Sequence, residues 1–82
     1  MIHEIKIDEP FADAVLSGRK TFEVRNNDRG YNAGDKVKFR VMDGVWEILD
    51  HGLKAKLYEI TYVYSGHGVH ERFVVFGIKE KE

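Results

Sequence analysis

Hydrophobic and polar positions alternate from the start of the chain. In IHEIKI, His3, Ile5 and Ile7 fall on one side and Glu4 and Lys6 on the other, the mark of a half-buried strand. The period then changes. Asp8, Glu9 and Pro10 read as a helix start, with a capping carboxylate, negative charge at the positive dipole end and proline in the first turn. Phe11, Ala14 and Val15 recur at helical spacing and are expected to pack on a sheet, with Asp13 outside. Gly18 supplies a left-handed stop. GRKTFEVR, residues 18–25, returns to alternation, with Phe22 and Val24 expected in the core and Thr21, Glu23 and Arg25 presented on the other side.

NNDRGYNAGD, residues 26–35, is dense in turn formers and reads as a loop. KVKFRVM alternates again and places Val37, Phe39 and Val41 inward. Asp43-Gly44 between apolar runs is a hairpin signal, so Val45 to Leu49 are expected to pair back. Asp50 to Gly52 form another turn. Residues 55–64 are the longest strand candidate, broken by Ser65-Gly66-His67-Gly68. Residues 73–79 close the set, with Val74, Phe76 and Ile78 on one face. One early helix and five or six strands with short connections predict an α+β, mostly β fold: a small antiparallel barrel or half-barrel with a helix across one opening.

Composition narrows the picture. Eighty-two residues, 43% hydrophobic and 12% aromatic, suit one folded domain, residues 1–82, with a small core. The absence of cysteine removes disulfide and thiolate chemistry and suits a reducing compartment, so a cytoplasmic location is expected. Charge appears by the fourth residue and no long apolar run follows, so neither a signal peptide nor a membrane span is expected. A net charge of −1 argues against duplex DNA as a partner. The charge is nevertheless segregated. Residues 19–40 hold seven cations against three anions, and the remainder six against eleven, so one stretch could attract an anion.

That stretch contains the best candidate chemistry. Glu23 and Arg25 lie two apart on one strand face. Arg25 offers a planar fork for phosphate or carboxylate, and Glu23 can accept from a base amino group or a sugar hydroxyl. Lys20 adds a third charge and Asp28 and Arg29 lie at the rim of the following loop. An exposed ion pair on a solvated edge is the competing reading, worth about 0 to 1 kcal/mol. His67-x-x-His70 with Glu71 has ligand-like spacing, but without a third ligand nearby it reads as two loop histidines, and no metal or cofactor is expected. His3 reads as a hydrogen-bonded histidine at the core margin. Tyr58, Tyr62 and Tyr64 could stack bases, yet with Ile60 on the same alternation they read as barrel core.

Gly18, Lys20, Glu23 and Arg25 spell G-x-K-x-x-E-x-R, and with IHEIKI, AVLSG, NNDRGYNAGD, ITYVYSGHG and FVVFGIK the chain resembles the ASCH domain family of the PUA-like superfamily, in its small single-domain bacterial and phage branch of unknown function. The resemblance implies a PUA-like pseudo-barrel whose helix and sheet enclose a cleft, into which the motif's Lys, Glu and Arg point. It also implies an RNA or nucleotide-like ligand, which Lys20, Glu23 and Arg25 are expected to hold, with Asp28 and Arg29 at the rim. One ASCH type is an amidohydrolase that removes acetyl from acetylated cytidine with a Lys, a Thr and a later Glu. Here Lys20 matches the lysine, Glu23 stands in the threonine's place, and Glu59 and Glu71 are the loose counterparts of the later glutamate. A binding domain is therefore the expected function. The alternatives are a small amidohydrolase acting on a modified nucleoside through Lys20 and Glu23, and a protein-interaction module.

Overall fold

A computed structural model describes all residues from Met1 to Glu82. The elements are β1 (Ile2–Asp8), α1 (Glu9–Leu16), β2 (Phe22–Asn26), β3 (Lys36–Asp43), β4 (Trp46–Glu47), a 3-10 turn (Gly52–Ala55), β5 (Leu57–Tyr64) and β6 (Phe73–Lys81). They form one curled sheet in the order β1-β3-β5-β6-β2, with β4 hanging on β3. The fold is mostly β with a single α-helix, a half-barrel as the alternation predicts. All pairings are antiparallel except one: β1 and β3 run parallel, His3 opposite Val37 and Ile7 opposite Val41. A parallel pair needs a long crossover. Here α1 and β2 lie between the two strands in sequence and provide it.

The inward positions of β1, β3 and β6 follow the alternation. Ile5, Ile7, Val37, Phe39, Val41, Val74, Phe76 and Ile78 are all buried. Leu53 from the 3-10 turn and Ile60 complete the centre. Asp43-Gly44 turns the chain back, with Gly44 at φ +60°, and Asp43 faces Trp46 across the hairpin. Arg40 then grips Glu47 through two hydrogen bonds, of 3.1 and 2.7 Å.

The helix differs from its sequence reading in phase. Ala12 and Val15 are buried, Phe11 is exposed and Ala14 is half-buried. Asp8 occupies the N-cap with extended backbone but its side chain makes no capping hydrogen bond. Pro10 sits at the first helical positions, where its missing N–H is no loss. The helix packs against β1, β3 and the 3-10 turn. That leaves Phe11 turned away from the core toward Lys20, 5.9 Å from its ammonium. No helix is long and apolar enough to cross a membrane.

β5 departs in a more informative way. Tyr58 and Ile60 are buried, but a bulge lies between Ile60 and Tyr62. One extra residue reverses which side chains face in. Beyond it Val63 packs on the core, while Tyr62 and Tyr64 stand outside. The tyrosines are therefore not one core stripe, as simple alternation suggested.

Candidate functional site

The site is built by a helix stop. Gly18, at φ +82°, ends α1 in a Schellman arrangement: its N–H donates to the Val15 carbonyl and that of Arg19 to the Ala14 carbonyl, each at 3.0 Å. The Lys20 N–H also reaches the Ala14 carbonyl at 3.0 Å. This fixes Lys20 directly before β2 and starts that strand with a defined facing. The facing is the reverse of the one read from the sequence. Phe22 and Val24, expected in the core, are 46% and 51% exposed, whereas Glu23 is only 4% exposed. Arg25 is half-buried and shares its side.

The reason lies across the sheet. Because the order begins with β1 and ends with β2, the curl brings these two free edges toward each other. No backbone ladder joins them. Instead Arg25 donates from Nη2 to the Lys6 carbonyl at 2.6 Å, and Arg29 from Nη1 to the Glu4 carbonyl at 2.7 Å. The arginines satisfy β1 edge carbonyls that no strand covers. To reach them Arg25 must point inward, and period-2 alternation carries Glu23 with it.

Glu23 would be costly to bury alone, since an unpaired buried carboxylate is strongly disfavoured. It is bracketed instead. Lys20 Nζ donates to Glu23 Oε1, and Arg25 Nε donates to Glu23 Oε2 at 3.1 Å. Lys20 Nζ also reaches the Phe22 carbonyl at 2.7 Å. Two cations thus hold one carboxylate, and the cluster keeps a positive surplus. One N–H of Lys20 and three of the five on Arg25 are not committed to these bonds. Beside the pair lies a cleft of about 240 Å³, lined by Lys6, Ile7, Asp8, Phe11, Glu23, Val24 and Arg25. Phe11 and Phe22 flank Lys20, the second with its ring centre 5.1 Å from the ammonium. The cleft beside the helix, expected from the motif, is therefore present.

Residues 26–35, read only as a loop, contribute a core residue. Tyr31 is 6% exposed and its ring is sandwiched between His3, at 4.7 Å, and Phe76, at 4.8 Å. Burial pushes its hydroxyl above the usual phenol range, against the pull of Arg29 and Arg25, with Asp28 and Glu23 acting in the same direction as burial. Tyr31 is the one aromatic in that run, a signal that the turn formers around it outweighed. His3 is buried as expected and its Nε2 lies 2.8 Å from Asp35 Oδ2. Asp28 is exposed, and Arg29 is engaged with β1 rather than free at a rim.

The remaining candidates stand apart. Glu59 is paired with Lys36 at 3.2 Å and Lys81 at 3.4 Å, and Glu71 is exposed in the β5–β6 connection. Neither contacts Lys20, so neither loose counterpart of the later glutamate joins the cluster; the other carboxylate at the cleft is Asp8. His67 and His70 are exposed, the latter edge-on to Phe73 at 5.6 Å.

A family model described as a domain of unknown function, DUF3850, matches residues 2–78. The chain is also 44% identical over 36 residues to an uncharacterized 12.9 kDa protein in the GpA 3′ region of Escherichia phage P2. That match spans 44% of the chain and 33% of the phage protein.

Proposed function

Since the chain belongs to the DUF3850 family, whose description assigns no activity, we propose from its own residues that it is an ASCH-type, PUA-like domain that binds RNA or a nucleotide-like ligand in the β1–β2 cleft. The observation that carries the reading is the buried Glu23 between Lys20 and Arg25 at the cleft wall, with exposed Phe11 and Phe22 beside it. Replacing a buried ion pair by apolar side chains is often neutral or stabilising, so stability alone gives little reason to keep one. A carboxylate flanked by cations has a use in recognition: it accepts from a base amino group or sugar hydroxyl while the cations take phosphate. The neighbouring rings supply a face for a base to stack on.

Titration with uridine monophosphate and with short RNA tests the proposal. Binding should weaken as salt is raised. Arg25→Gln, at the cleft wall, should weaken it, whereas Lys79→Gln, outside the cleft, should leave mononucleotide affinity unchanged. Equal losses in the two variants, or no binding of either probe by the unmodified protein, would remove the nucleotide reading.

A further inference from the structure

We propose that the outer face of β2, β6 and β5 is a stacking surface for a single-stranded nucleic acid, continuing outward from the cleft; the proposal rests on the nucleotide-binding reading above. The register puts Phe22 opposite Gly77 on β6 and Gly77 opposite Tyr62 on β5. In the next row Val24 stands opposite Val75, and Val75 opposite Tyr64. Directly paired residues share a face, so two apolar rows cross three strands on the outside of the half-barrel. Tyr62 is 70% exposed, and Phe22, Val24 and Tyr64 are also exposed. Strand spacing sets Phe22 and Tyr62 about 10 Å apart. Position 77 between them is glycine and adds no side chain; the Thr61 hydroxyl lies over it, 2.6 Å from where a Cβ would stand. Past the second row, Val24, Val75 and Phe73 form the floor of a groove of about 280 Å³ against Gly68, Val69 and His70.

Unpaired bases are recognised on sheet faces of this kind, with aromatic rings on neighbouring strands and cations at the border. The cations are present. Lys20 lies over Phe22, Lys79 follows Gly77 on the same face of β6, and Arg19 precedes β2. Lys79 and Arg19 make no ion pair; of the carboxylates around Lys79, Glu59 is held by Lys36 and Lys81 and Glu80 by Lys56, while Glu82 lies in the same hollow. The same charges disfavour a second copy of the chain as occupant. A two-fold pairing through this patch would set its bordering cations near those of the partner. A phosphate backbone complements them instead. The bulge supports the same assignment, since without it Tyr62 would turn into the core and the surface would not exist.

The test is fluorescence anisotropy with labelled oligouridine, run beside uridine monophosphate titration and a measurement of oligomeric state. Tyr62→Ala and Phe22→Ala truncate exposed rings and should leave the melting temperature nearly unchanged, yet each should weaken oligouridine binding about tenfold. Tyr62 lies far enough from the cleft that Tyr62→Ala should not alter mononucleotide affinity. Trp46→Ala, equally exposed on the β3–β4 hairpin, should have no effect on either probe. Oligouridine binding indifferent to Tyr62 and Phe22 would overturn the stacking surface while leaving the cleft intact. So would mononucleotide binding with no oligouridine binding. A dimer that Tyr62→Ala converts to monomer would overturn it in favour of a copy-to-copy interface. Oligouridine binding that needs Tyr62, without mononucleotide binding, would support the surface and remove the cleft.

Discussion

Glu23 sets the terms at the scale of single residues. Its two partners are mostly shielded but not sealed from water, so removing it strands charges that can partly rehydrate. Glu23→Ala is expected to destabilise the fold by about 2 kcal/mol, below the range for breaking a fully buried pair. Denaturant unfolding at neutral pH measures this. Glu23→Gln keeps the shape and one acceptor oxygen and should cost less. The same pairing bears on catalysis. The Lys20 Nζ is already directed at the Glu23 carboxylate and the Phe22 carbonyl, so it is not placed to take a proton from an attacking group. The protein is therefore expected not to hydrolyse acetylated cytidine. Turnover that Lys20→Ala and Glu23→Gln both abolish would reverse that expectation and point to Glu23 activating a water. What the sequence disclosed here was the residue set: Lys20, Glu23 and Arg25 do meet. It did not disclose that Arg29 reaches β1, or that Tyr31 joins the core, because both depend on contacts with strands distant along the chain.

Strands β2 and β5 show where element-level reading succeeds and where it stops. The alternation in β1 and β3 was decisive because one side of each strand is mainly apolar and that side is the buried one. In β2 the same rule chose the wrong face. Phe22 and Val24 are the apolar members, but the two arginine contacts with β1 determine which side turns inward, and these are tertiary. In β5 a single inserted residue at Thr61 exchanged the two faces midway, and period counting cannot detect a bulge without its partner strand. The bulge and Gly77 are coupled. Gly77→Ala should destabilise by about 1–2 kcal/mol through the clash with Thr61 Oγ1. Adding Thr61→Ala should recover most of the loss, giving a favourable coupling in a double-mutant cycle. Simple additivity would mean that the hydroxyl swings clear at no cost.

For the molecule as a whole, acid sensitivity follows from carboxylates distributed over several elements. The hydrogen bond from His3 holds Asp35 below its usual range; Arg40 does the same for Glu47, and Lys36 with Lys81 for Glu59. Each folded-state value is depressed, so each contribution is present above the ordinary carboxylate range and is lost as pH falls through the depressed one. Thermal midpoints should therefore hold near neutrality and decline as pH drops below the carboxylate range. Glu47→Gln should start lower and decline less steeply. An unchanged slope would show that Arg40 gains nothing from Glu47 beyond solvation.

The β1–β2 seam has a consequence in time rather than in energy. β2 is hydrogen-bonded to the sheet through β6 alone, and its other edge faces a gap spanned by two guanidinium groups. Such a strand can swing out while the rest of the sheet stays folded, a local opening well below the free energy of global unfolding. Deuterium should thus enter the amides of β2 before those of β3, β5 and β6. Arg29→Ala should quicken that entry in β2 and leave the central strands as slow as before. The pair of arginines would then be a latch, and the interval for which it stays shut would set how often the cleft behind Glu23 is open to a visitor.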